Sequence, residues 1–173
     1  EQSVVDENGD TLYFSLYTPR NTVVTHLRYL QPETFHPELS AETFNLKDKK
    51  KAQELAIKLK QILDARGLFI DTETIPNNPE YTDSLTRLNR YIIYNNYPQI
   101  MLERVNGKWY YSRRTAEAIP ELHSEIYPLG SDFLMNIFPA SIAHKEVLGL
   151  HMWQYLGALL IIILSFILHR IQT

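Results

Sequence analysis

Hydrophobic residues recur at helical spacing early in the chain, over Pro19–Leu30. Val23 and Leu27 lie one helical turn apart, so they fall on one face of a helix. Thr18 is a good N-cap residue, and a proline directly after it suits the first helical position. Pro32 cannot continue a helix. The pattern therefore predicts a helix over these residues.

A second and clearer amphipathic pattern follows within residues 48–67. Its apolar residues match the i, i+3, i+4, i+7 template, and Gly67 stands where a left-handed C-cap residue belongs. The apolar positions are Ala52, Leu55, Ala56, Leu59, Ile62 and Leu63. We expect a long helix with one buried face.

The strongest strand signal lies in the middle of the chain. Asn106-Gly107 separates two β-prone runs, 100–105 and 108–112, and this dipeptide is typical of a type I′ hairpin turn. Alternation along the second run puts two aromatic residues on one face, Trp109 and Tyr111.

Weaker patterns surround this hairpin. Residues 67–71 and 90–94 are each typical of a short strand. Residues 115–127 form a helical pattern whose apolar face carries Ile119, Leu122 and Ile126. Pro120 within that pattern predicts a helix that is bent or starts late. The opening residues are polar and acidic, which predicts a loose N-terminal segment.

Residues 147–168 contain no Asp, Glu, Lys or Arg. A helix of that length spans roughly 33 Å, against about 30 Å for the hydrocarbon core of a bilayer. Trp153 and Tyr155 near one end, and Arg170 beyond the other, suit the membrane interfaces. The alternative is a helix buried in the protein interior, but a domain of this size can hardly surround a helix of this length. The pattern predicts a transmembrane helix with lipid-facing residues Leu159, Ile162 and Phe166.

The segment before this span carries apolar residues on one side, among them Phe133 and Phe138. It can lie in the headgroup layer as an interfacial segment or pack on the preceding domain, and the sequence favours neither. The predicted fold class is an α+β extracytoplasmic domain followed by one transmembrane α-helix. The predicted divisions are a loose segment 1–17, a periplasmic domain 18–130, an interfacial segment 131–146, the span 147–168, and residues 169–173 as the cytoplasmic start of a longer chain.

Composition and charge narrow the possible functions. The net charge is −3 and the basic residues are scattered except for those in Lys47–Lys51, which argues against nucleic-acid binding. The absence of cysteine excludes disulfides and thiolate chemistry. None of the six histidines has a metal ligand at helical spacing, and no nucleophile-elbow or phosphate-loop motif occurs. We therefore predict no catalytic, metal or cofactor site, and a protein that is not an enzyme.

Four phrases together resemble a known family: "TVVTHLRYLQPETFHPELSAETFN", "AIKLKQILDARGLFIDTETIPNNPEY", "VNGKWYYSRRTAEAIPELHSEIYPLG" and "LGLHMWQYLGALLIIILSFILHR". They are similar to the N-terminal part of mechanosensitive ion channels of the small-conductance type, in the version found in Bacteroidetes-like bacteria. The resemblance implies a bacterial inner-membrane protein with a periplasmic N-terminal domain, a first transmembrane helix, and a homo-oligomer that is commonly a heptamer. The pore helix and cytoplasmic vestibule of that family do not occur in these 173 residues.

The sequence thus leads to the expectation of a peripheral, tension-sensing part of a channel subunit, with the lipid bilayer as its partner. The alternative is a single-pass, membrane-anchored periplasmic binding or scaffold protein that docks a partner complex.

Overall fold

Four α-helices and three small antiparallel sheets make up the regular structure of the residues that the computed structural model describes, 2–5, 11–127, 146–147 and 150–151. The helices are α1 (Pro19–Arg28), α2 (Pro37–Ala41), α3 (Lys49–Ala65) and α4 (Arg113–Ile126). The strands are β1 (Gln2–Val5), β2 (Thr11–Phe14), β3 (Arg90–Ile92), β4 (Met101–Val105), β5 (Lys108–Tyr111), β6 (Glu146–Val147) and β7 (Leu150–His151). Residues 1–126 form one unit, and residues from Tyr127 onward belong to a second.

The central sheet has the strand order β3-β4-β5. The turn between β4 and β5 has positive φ at both Asn106 (50°) and Gly107 (81°), as a type I′ turn requires, so the predicted hairpin is confirmed. The outer edge of β5 is also occupied. The Trp109 amide donates to the Leu16 carbonyl (2.7 Å), and the Tyr111 amide donates to the Thr43 carbonyl (2.9 Å).

Helix α3 supplies the buried face predicted from its periodicity. The Asp48 side chain caps its start by accepting from the Lys51 amide. At its end Gly67 has a φ of 63°, and the Leu68 amide donates to the Leu63 carbonyl (2.8 Å). This is the Schellman arrangement, which confirms the predicted C-cap. The main core gathers around this helix and includes Val23, Phe44, Leu55, Leu59, Ile62, Leu102, Trp109 and Ile119.

The predicted helix at Pro19 is confirmed as α1, with Thr18 as its side-chain cap and proline at its start. Helix α2 and a 3-10 turn at Pro32–Thr34 were not predicted. Each begins with a proline, so Pro32, which was expected only to end the first helix, also starts the next short element.

Helix α4 starts earlier than predicted and runs through Pro120. The Ser112 hydroxyl accepts from the Thr115 amide (3.1 Å), which fixes the start of the helix seven residues before the proline. The expectation of a late start was therefore wrong, and the alternative, a bend at Pro120, stays a prediction. The predicted apolar face is confirmed, because Ile119 and Leu122 are buried.

The strand predicted over residues 67–71 is wrong. The Leu68 amide is already used in the cap of α3, and the Asp71 side chain accepts from the Glu73 amide to start a 3-10 turn at Thr72–Thr74. The strand predicted over 90–94 is confirmed as β3.

The loose segment predicted over residues 1–17 contains two paired strands. Strand β1 pairs antiparallel with β2, with Val4 opposite Leu12. We call these two strands the N-terminal ribbon. The overlooked signal is Asn8-Gly9, which stands between two apolar runs just as Asn106-Gly107 does.

The transmembrane α-helix in the predicted fold class needs a correction. The transmembrane helix was predicted to begin at Val147, but Val147 lies in a strand paired with Leu150. Two residues separate these strands, one of them Gly149, which is typical of a tight hairpin. Within the described residues no helix combines the length and the apolar surface that crossing a bilayer requires. The correct class for those residues is a small α+β fold; residues 152–168 lie outside them.

Candidate functional site

His26, on α1, is a fully buried histidine. Its Nε2 lies 2.9 Å from the Ala56 carbonyl, and its Nδ1 lies 2.9 Å from the Tyr111 hydroxyl. A carbonyl can only accept, so Nε2 carries the proton and the tyrosine hydroxyl donates to Nδ1. Burial lowers the pKa of His26 to about 4, because the charged ring would lose its hydration. Near neutral pH the ring is uncharged and both of its nitrogens are hydrogen-bonded. His26 therefore has a structural role.

A second buried polar cluster joins α4 to β4. The Thr115 hydroxyl donates towards the carbonyls of Gln99 (2.8 Å) and Met101 (2.9 Å), and it accepts from the Met101 amide (3.0 Å). The Ser112 hydroxyl lies 3.0 Å away. Every polar partner here is a backbone group or a capping hydroxyl, so the cluster satisfies buried hydrogen-bonding groups.

Charged residues form separate pairs on the surface. Arg104 makes a two-pronged contact with the Glu80 carboxylate (2.5 and 2.6 Å). Arg66 joins the Tyr97 hydroxyl (2.9 Å) and Glu125 (2.6 Å), so it links the end of α3 to α4. Among the described residues no three His, Cys, Asp or Glu side chains are grouped so that they could hold a metal ion.

The sequence placed its candidate site residues in the C-terminal part of the chain. All of them lie outside the described residues, so they stay predictions. They are the interface candidates Phe133, Phe138, Trp153, Tyr155 and Arg170, and the lipid-facing candidates Leu159, Ile162 and Phe166.

The N-terminal ribbon presents an exposed apolar surface. Every residue of β1 is exposed, and 64% of Val5 is accessible to solvent. The ribbon is attached through β2, since Phe14 is buried and the Tyr29 hydroxyl donates to the Tyr13 carbonyl (2.6 Å). The outer edge of β1 pairs with no strand that the structure describes. An exposed edge without lysine or proline is a ready template for strand addition.

Comparison with known proteins gives no family assignment: no protein-family model, curated protein or solved structure matches the chain.

Proposed function

We propose that residues 11–127 form a non-catalytic periplasmic domain of an inner-membrane mechanosensitive ion channel subunit of the small-conductance type. One observation carries the proposal. The first three phrases of the resemblance meet at one side chain, because His26 in the first contacts Ala56 in the second and Tyr111 in the third. The phrases thus belong to one packed unit, which is what a shared domain requires.

The proposal does not depend on the helix predicted over residues 147–168. The tension-sensing role rested on that helix and is not carried forward. What remains is an accessory domain of a homo-oligomeric channel, with a rigid core whose polar groups hold helices and strands together.

Single cysteines can test on which side of the membrane the domain lies, because these 173 residues contain none. Any cysteine in the rest of the gene product is first replaced by serine. Glu121 is exposed on α4, so Glu121→Cys in the full-length gene product offers a reactive thiol. We expect a membrane-impermeant maleimide to label it in intact spheroplasts. Ile62→Cys, at a fully buried position, is the matched control that stays unlabelled until the protein is denatured. Labelling of Glu121→Cys only after permeabilisation would contradict the periplasmic assignment.

The channel role is tested by expressing the full-length gene in a bacterial strain that lacks its mechanosensitive channels. We expect survival of a hypo-osmotic shock and tension-activated currents in patches. A membrane-inserted product that gives neither would overturn the proposal.

A second candidate function is that of a periplasmic binding or scaffold domain, and the open edge of the N-terminal ribbon favours it. A partner protein would add a strand along β1. A photo-crosslinker at Ser3 should then link the chain to that partner in cells, and lysines at Val4 and Val5 should abolish the product. Tyr17→Lys changes an exposed apolar residue outside the ribbon and serves as the control. Shock protection without such a crosslink would favour the channel.

A further inference from the structure

The contacts of β2 show which of its backbone groups face away from β1. In an antiparallel pair, alternate residues turn their N–H and C=O to the partner strand and to the opposite side. The Tyr13 carbonyl accepts from the Tyr29 hydroxyl (2.6 Å). The Ser15 amide donates to the Thr25 hydroxyl (3.3 Å), which donates in turn to the Ser15 carbonyl (3.1 Å). Tyr13 and Ser15 therefore turn their backbone groups to α1, and the alternate residues of β2 turn theirs to β1.

The register of the ribbon then identifies the free backbone groups of β1. Gln2 and Val4 lie opposite the two β2 residues that face β1, so these pairs form the hydrogen bonds of the ribbon. The N–H and C=O groups of Ser3 and Val5 point to the other side, where no described strand pairs with them. The open edge thus offers two donors and two acceptors at alternate residues.

The side chains beside this edge are uncharged and exposed. Ser3 lies opposite Tyr13, so these two residues and Val5 share one face of the ribbon. On that face 64% of Val5 and 54% of Tyr13 is accessible to solvent. A strand added along β1 would place alternate side chains beside Ser3 and Val5, and β-branched or aromatic ones would bury the most apolar surface there.

The sequence around the ribbon is acidic. Residues 1–19 hold four carboxylates and no lysine or arginine, whereas the rest of the chain holds all 17 basic residues against 16 acidic ones. Glu1 directly precedes β1 and Asp6 directly follows it, and the other two are Glu7 and Asp10. The negative charge of the whole chain is therefore concentrated in the stretch that carries the open edge. A partner with positive charges at both ends of its strand complements that stretch.

We propose that the open edge of β1 binds an extended segment of a partner protein with lysine or arginine on both sides of a short β-prone run. Backbone hydrogen bonds at Ser3 and Val5 supply affinity, and the acidic flanks select the cationic segment. This inference rests on the second candidate function, that of a binding or scaffold domain, and names the partner that such a domain takes.

The same charges disfavour other occupants of the edge. Two copies of the chain paired through β1 would bring the acidic flanks of both copies to one seam, and like charges across paired strands are unfavourable. An anionic bilayer would be repelled by the same carboxylates.

The test uses the purified full chain and two fluorescein-labelled peptides. The first is Lys-Lys-Thr-Val-Thr-Val-Lys-Lys, and the second carries glutamate at each lysine position. In fluorescence anisotropy we expect the lysine peptide to bind about tenfold more tightly than the glutamate peptide at low salt. The preference should shrink at about 0.5 M NaCl, because salt screens the flanking charges.

Variants separate the edge from its charges. Ser3→Pro removes an outward N–H without touching the ribbon's own hydrogen bonds, so it should weaken binding of the lysine peptide at least about tenfold. Ser3→Thr keeps that N–H and should bind as the parent chain does. Glu1→Gln with Asp6→Asn should reduce the preference for lysine over glutamate, whereas Glu121→Gln, at an exposed position on α4, should leave it unchanged.

The outcomes keep this inference apart from the function on which it rests. Equal binding of the two peptides would overturn the cationic partner and leave a binding domain standing. Binding of neither peptide, or binding that Ser3→Pro does not change, would overturn the inference, and the crosslink from position 3 in cells then decides separately whether the binding or scaffold function holds. Dimers that form without peptide and disappear in Ser3→Pro would overturn it and assign the edge to a second copy.

Discussion

The His26 ring donates a hydrogen bond from Nε2 to the carbonyl of Ala56, 2.9 Å away, and so joins α1 to the middle of α3. The bond requires one particular neutral tautomer. The opposite nitrogen then depends on the hydroxyl of Tyr111 from β5. A single uncharged imidazole thus connects three elements that are distant in the sequence.

The first prediction concerns stability against pH. The pKa of His26 is lowered from 6.5 to about 4, so the unfolded chain takes up a proton over a range in which the folded chain does not. The stabilisation by the neutral ring is therefore complete above about pH 6.5 and is lost as the pH falls towards 4, by about 3 kcal/mol in all. Urea unfolding at several pH values measures this. In His26→Gln the dependence over this range should be clearly shallower, and an unchanged pH profile would contradict the prediction.

A second prediction concerns the partner hydroxyl. Tyr111→Phe leaves Nδ1 of His26 buried without a donor, and we expect a loss of about 1–3 kcal/mol in the free energy of unfolding. Tyr110→Phe removes a hydroxyl from the adjacent, half-buried position and should cost well under that. Equal effects of the two changes in denaturant unfolding would show that the hydrogen bond to His26 contributes nothing.

The third prediction concerns the end of α3. No atom lies within 4 Å of a Cβ built on Gly67, so Gly67→Ala meets no steric clash. Its φ of 63° still disfavours alanine, and we expect a loss of about 1–2 kcal/mol. Gly67→Asn should lose less, because asparagine tolerates this conformation. Thermal unfolding that places the alanine variant at or above the asparagine variant would contradict the backbone explanation.

The fourth prediction concerns Trp109, which is fully buried and donates from Nε1 to the Pro79 carbonyl (3.0 Å). Trp109→Ala should cost about 3–5 kcal/mol, because it removes a large core side chain. Trp109→Phe keeps most of the apolar contact and should cost less, but it loses the bond to Pro79. Hydrogen exchange should therefore quicken at the amides of Glu80 and Tyr81 in both variants. Unchanged exchange there would show that the indole does not hold this segment.

Local signals predicted those parts of the fold that local chemistry determines. The caps at Thr18 and Gly67 and the turn at Asn106-Gly107 each depend on residues within one turn of one another, and each is confirmed. The expectation that Pro120 delays the start of its helix failed, because the Ser112 hydroxyl already caps α4 before the proline is reached.

The remaining features depend on partners that the local pattern does not contain. His26 is one of six similar histidines in the sequence, and its role follows from partners 30 and 85 residues away. The strand pair within Glu146–His151 was not predicted. The transmembrane helix was predicted from the run of uncharged residues, and that criterion ignores Gly149 as a turn residue.

The occupied outer edge of β5 has a consequence for how the chain is made. The carbonyls of Leu16 and Thr43 accept from the amides of Trp109 and Tyr111, so these two segments cannot make their hydrogen bonds to the sheet until β5 has been synthesised. Contacts of such long sequence separation form late and slowly. The edge of the sheet is therefore completed only after the chain has been synthesised as far as Tyr111.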